Sequence, residues 1–67
     1  MSFGKRIKEL RQKAGFTQEQ LANLLSISSQ AVSRWETDAA MPDISLLPAL
    51  AYTFAVSTDY LLGVDVE

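Results

Sequence analysis

From Phe3 to Leu62 the apolar positions recur at intervals of three and four residues, the period of helices that bury one face. Together with start and stop signals, this pattern predicts an all-α chain of five helices, over residues 3–14, 17–25, 28–36, 45–54 and 57–62. In the first, Phe3, Ile7, Leu10 and Ala14 share a face, while Lys5, Lys8, Arg11 and Lys13 lie on the exposed side. Leu21, Leu24 and Leu25 line the second, with Ala22 small enough to admit a neighbouring helix. Val32 and Trp35 form the inner edge of the third. Leu47, Leu50, Ala51 and Phe54 face inward on the fourth, whose start is confined by Pro48, since proline fits only the first turn. Tyr60, Leu61 and Leu62 close the core from the fifth. Residues 37–43, with Asp38 and Pro42, read as a loop, and residues 64–67 as a frayed tail.

The boundaries rest on capping chemistry. Thr17 can accept from the backbone two or three residues on while Gln20 reaches back, a capping box. Ser28 and Ser57 are placed to do the same for the third and fifth helices, Ser2 for the first, and Gly15 supplies a stop. Phe16 with Leu21, Ile27 with Val32 and Val56 with Leu61 stand at staple spacing across three helix starts. Residues 17–36 therefore predict two short helices joined by a tight turn, a helix-turn-helix. The outer edge of its second helix carries Ser29, Gln30, Ser33 and Arg34, groups able to read base edges.

Composition narrows what such a unit can do. At 67 residues the chain is a single domain, with little margin in its core. Cysteine and histidine are both absent, which removes disulfides, the usual zinc ligands and the usual general base. No Gly-rich phosphate loop and no pair of carboxylates with shared placement occurs, so an enzyme is disfavoured and no cofactor or metal is expected. No apolar run reaches membrane-span length and no signal-peptide pattern opens the chain, so no membrane association is expected and a cytoplasmic, nucleoid-associated location is. The formal charge of −2 is unevenly spread. All six bases lie within residues 1–36 against three acids, and residues 37–67 hold five acids and no base. A sequence dipole of this kind suits one-sided contact with a polyanion, at modest affinity.

Three blocks carry a resemblance that spans residues 3–63: Thr17-Gln18-Glu19-Gln20-Leu21-Ala22, Ser28-Ser29-Gln30-Ala31-Val32-Ser33-Arg34-Trp35-Glu36, and Val56-Ser57-Thr58-Asp59-Tyr60-Leu61-Leu62-Gly63. In that order and spacing they resemble the Cro/phage-repressor (XRE-like) helix-turn-helix domains of bacterial and phage transcription regulators. The resemblance implies a compact five-helix bundle of the lambda-repressor-like type, and a sequence-specific regulator of double-stranded DNA, with repression the expected direction. It implies a homodimer on a palindromic operator, half-sites about one DNA turn apart. Val56, Tyr60 and Leu61 are candidates for the dimer surface, Leu61 being better explained as core.

Carried over residue by residue, the resemblance assigns base contacts to Ser29, Gln30, Ser33 and Arg34. Gln30 would pair adenine and Arg34 guanine, each worth ~1–3 kcal/mol of discrimination. It assigns phosphate contacts to Arg11, near the end of the first helix, and to Thr17, Gln18 and Ser28, at helix starts whose N-termini favour an anion. Three departures stand out: Ser26 and Ala55 occupy places that often hold glycine, and residues 37–44 lack the bases that often grip phosphate. The alternative is a protein-interaction module on the same fold, an antitoxin or adaptor component, using Asp38, Asp43 or Asp59 of the acidic half.

Overall fold

A computed structural model describes residues 2–64, so residues 65–67 of the expected tail lie outside the described residues. Five α-helices appear among them: α1 (Phe3–Lys13), α2 (Gln18–Leu25), α3 (Ser29–Glu36), α4 (Leu47–Phe54) and α5 (Thr58–Leu62). A 3₁₀ turn, Ile44–Leu46, leads into α4, so the helix expected from residue 45 begins with a tighter turn. Pro48 lies in the first turn of α4, where its missing N–H costs no helical bond. No described helix is long and apolar enough to cross a membrane.

The expected caps all form. The hydroxyl oxygens of Ser2, Thr17, Ser28 and Ser57 each accept from the backbone N–H three residues on, at 3.1, 3.0, 3.2 and 2.9 Å. Gln20 Oε1 completes the capping box by accepting from Thr17 N–H at 2.8 Å. Every α-helix is followed by a left-handed residue within two positions of its end: Gly15, Ser26, Asp38, Ala55 and Gly63. The next residue's N–H then turns back to a carbonyl of the last helical turn, as Ile27 does to Ala22 and Val56 to Ala51, both at 3.0 Å. Three connections thereby share one three-residue plan, a left-handed residue, an apolar residue and a hydroxyl cap: Gly15-Phe16-Thr17, Ser26-Ile27-Ser28 and Ala55-Val56-Ser57. The apolar residue in the middle of each packs against the core.

Two of these turns use side-chain-bearing residues where glycine is free of strain. Ala55 has φ 56° and is exposed, so its methyl group adds strain and contributes no packing. Ala55→Gly is expected to stabilise the chain by about 0.5–1 kcal/mol, the relief of left-handed strain less the extra freedom of the unfolded chain. A thermal melt should rise by roughly 3–6 °C, and an unchanged or lower midpoint would contradict the strain.

The core is Ile7, Leu21, Ala22, Val32, Trp35, Leu50 and Leu61, drawn from all five helices. α3 packs on both α2 and α1, and α5 bridges α4 and α1. Four sequence expectations are corrected here. Leu62, expected to help close the core, is 44% exposed and lies outside it. Leu24 is 58% exposed; at ~100° per residue it falls beside the face set by Leu21, Ala22 and Leu25 and outside it. Ala14 is exposed because α1 ends at Lys13 and the chain turns away. Arg11, one turn beyond Ile7, is buried rather than solvated.

Candidate DNA-binding surface

The solvent side of α3 is polar and open. Gln30 and Arg34 are exposed one turn apart, and Ser29 and Ser33 beside them are half-buried. Among the described residues the Gln30 and Arg34 side chains have no hydrogen-bond or ion-pair partner within the protein, so their donors and acceptors remain available. The opposite side of the same helix carries Val32 and Trp35, both in the core, which fixes the rotation of α3 about its axis.

Two helix N-termini flank this surface. Thr17 caps α2 and Ser28 caps α3, each by accepting through its oxygen, which leaves the hydroxyl hydrogen free to donate. The first-turn N–H groups of both helices add donors and the positive end of the helix dipole. Gln18 follows the α2 cap. Its Nε2 donates to Glu36 Oε1 at 3.0 Å, so the first turn of α2 is tied to the last turn of α3.

Arg11 is held otherwise than the sequence implies. Its Nε donates to Glu36 Oε2 at 2.6 Å and its Nη2 to Glu36 Oε1 at 3.1 Å, while Nη1 donates to the Phe16 carbonyl at 2.9 Å. The side chains of Arg11 and Glu36 are only 11% and 4% exposed. All three nitrogens of the guanidinium are thus engaged inside the protein, and the geometry makes Arg11 a brace across α1, α3 and the α1–α2 turn. Nothing in the sequence near Glu36 marks it for this role, since its partner lies 25 residues away. The available signal was the four-residue spacing from Ile7, which puts Arg11 on the buried face of α1.

Electrostatics keep the brace ionised. Burial alone would push the Glu36 carboxyl up, but hydrogen bonds from Arg11 and Gln18, helped by the charges of Arg11 and Lys8, hold it below its ordinary 4.5. A carboxyl depressed on folding binds fewer protons in the native state. Its stabilisation is therefore complete above the ordinary value and is lost as pH falls toward the folded one. Urea midpoints should fall below about pH 4.5, more steeply for the native chain than for an Arg11→Met/Glu36→Met variant. Parallel profiles would remove Glu36 as the group responsible.

The remaining site features lie at the end of α3. Asp38 Oδ1 accepts from Gly4 N–H at 2.9 Å, tying the start of α1 to the loop. Asp38 is exposed all the same, so it serves this tie through one carboxylate oxygen while standing at the surface. Gly4, also unremarked in the sequence, packs its Cα against the α3 C-terminus: a Cβ there would sit 2.5 Å from the Trp35 carbonyl oxygen and 2.7 Å from that of Glu36.

An exposed polar helix, fixed by its apolar side and preceded by a second capped helix across a left-handed turn, defines a helix-turn-helix domain. The chain belongs to the helix-turn-helix family of Cro/C1 type, whose model matches residues 7–61. It is 51% identical over 65 residues to the HTH-type transcriptional regulator ImmR of Bacillus subtilis, covering 97% of this chain and 51% of ImmR. The crystal structure of the P22 c2 repressor in complex with a synthetic operator is similar with a TM-score of 0.89 at 34% identity, covering 97% of this chain and 98% of that one. A transcriptional regulator from Listeria innocua matches with a TM-score of 0.89 at 30% identity, over 98% of this chain and 62% of that one. The chain spans about half the length of the first curated relatives it matches, 51% and 56%.

Proposed function

We propose that this chain is the sequence-specific double-stranded-DNA-binding unit of a transcriptional regulator, acting by occupancy with α3 in the major groove. The observation that carries this reading is the pair Gln30 and Arg34, exposed one turn apart on a rotationally fixed helix and unpartnered within the described protein. Their chemistry suits adenine and guanine edges, respectively, with Ser29 and Ser33 as shorter neighbours. Thr17, Gln18 and Ser28 grip the phosphates on either side through hydroxyl, amide and helix-terminal N–H groups. Arg11 supports this edge from within. One such unit reads few base pairs, so it acts as a homodimer on a palindromic operator in the cytoplasm. With no base in residues 37–44 and a net charge of −2, affinity rests on direct contacts more than on counterion release.

The test is selection from a random duplex pool at low salt, run beside a folded Gln30→Ala/Arg34→Ala variant. The native chain should enrich a short palindrome, and the variant should bind it at least ~30-fold more weakly, as the loss of two base contacts demands. Enrichment by neither would overturn the DNA reading in favour of a protein-docking role, for which Asp43 and Asp59 remain exposed.

A further inference from the structure

Glu36 sits at the junction of three helices, yet its side chain is too buried to meet DNA itself. Among the described residues it touches the proposed phosphate edge through one group, the amide of Gln18. An ionised carboxylate only accepts hydrogen bonds, so Gln18 must turn its NH₂ group, and not its carbonyl, toward Glu36. One amide hydrogen is thereby taken. The second N–H and the carbonyl oxygen remain at the start of α2, beside first-turn backbone donors and the Thr17 hydroxyl hydrogen. Without that anchor a glutamine side chain on a helix terminus samples several rotamers and either amide orientation, at an entropic cost to any contact it makes.

We propose that Glu36 is the positioning residue of the α2 phosphate contact: held by Arg11, it fixes the Gln18 amide so that its second N–H is presented to a backbone phosphate. This rests on the DNA-binding reading and deepens it. Arg11 has a second part in the arrangement. Its guanidinium cancels a carboxylate charge that would otherwise lie one side chain away from a phosphate. Because phosphate contacts carry no base information, the device sets affinity and leaves sequence preference alone.

The test uses the palindrome enriched by the native chain. Replacing both members of the pair, Arg11→Met/Glu36→Met, removes the anchor without changing net charge, and exchange of a whole buried pair for apolar residues is commonly tolerated. This variant should bind about 5–10-fold more weakly, a typical hydrogen-bond loss, with the same preferred sequence. Gln18→Ala should show a similar loss, and the triple variant should be no weaker than Gln18→Ala. Independent, multiplying losses, or an altered sequence preference, would show that the pair acts on α3 as a whole and would overturn the positioning role. Should the paired variant fail to fold, the native chain still decides. On adding the duplex, the amide ¹H signal of Gln18 facing Glu36 should stay put and its partner should move and gain exchange protection. Movement of the Glu36-facing hydrogen to its free-water position would overturn the proposal. A native chain that enriches no DNA overturns the DNA reading itself, a result distinct from both.

Discussion

Arg11→Met alone should cost the protein a large share of its stability at 25 °C. The substitution leaves the Glu36 carboxylate almost wholly buried, with Gln18 as its remaining side-chain donor, and orphans the Phe16 carbonyl contact. Removing one member of a buried pair costs about 3–5 kcal/mol, most of it the penalty of an uncompensated buried charge. A domain of this size has roughly 3–10 kcal/mol in total, so the loss consumes much or all of it. Urea titration followed by circular dichroism measures this directly. The informative comparison is the paired Arg11→Met/Glu36→Met variant, which removes both charges and should recover most of the stability. If the single substitution cost less than about 1 kcal/mol, the ion pair would be behaving as a solvated surface pair, contrary to its burial.

Gly4→Ala is expected to cost about 3 kcal/mol, the upper part of the usual range for overpacking. Alanine is ordinarily the better helix residue, so an exposed helical glycine exchanged this way would gain stability. Here the added Cβ meets the Trp35 and Glu36 carbonyl oxygens at 2.5 and 2.7 Å and Asp38 Oδ1 at 2.9 Å. Two of those three atoms are backbone and cannot rotate aside, so α1 must move away from the end of α3. That movement also stretches the Gly4–Asp38 hydrogen bond. Because Glu36 is one of the displaced residues, operator affinity should fall along with the urea midpoint. A neutral or stabilising result would mean that α1 and α3 are less closely seated than their geometry requires.

Both substitutions act on contacts that local sequence cannot announce. What the sequence does announce is everything carried within a few residues. The Thr17 and Gln20 box, the serine caps and the left-handed stop at Gly15 are all short-range hydrogen-bond problems with few solutions, and each forms as expected. The strain at Ser26 and Ala55 was legible for the same reason, since a turn of that length demands a left-handed residue whatever occupies the place. The outward position of Gln30 and Arg34 followed from Val32 and Trp35, because one apolar stripe on an eight-residue helix fixes the opposite side.

The limits of local pattern are equally specific. Leu24 shared the period of its neighbours, but in so short a helix two adjacent faces fit the leucines almost equally well, and docking against α3 selected the one containing Ala22. Arg11 occupied a buried position by spacing, yet its charge argued for solvent until a partner 25 residues away was brought beside it. Gly4 and Asp38 are separated by 34 residues, and nothing in either neighbourhood marks them as a contact. The sequence by itself determined the helices, their caps and the polar face offered by α3, because backbone hydrogen bonding and helical period are local. Only the tertiary structure decided that Arg11 braces Glu36, that Glu36 holds Gln18 and that Gly4 admits α3, because burial and pairing depend on which distant segments the fold makes neighbours.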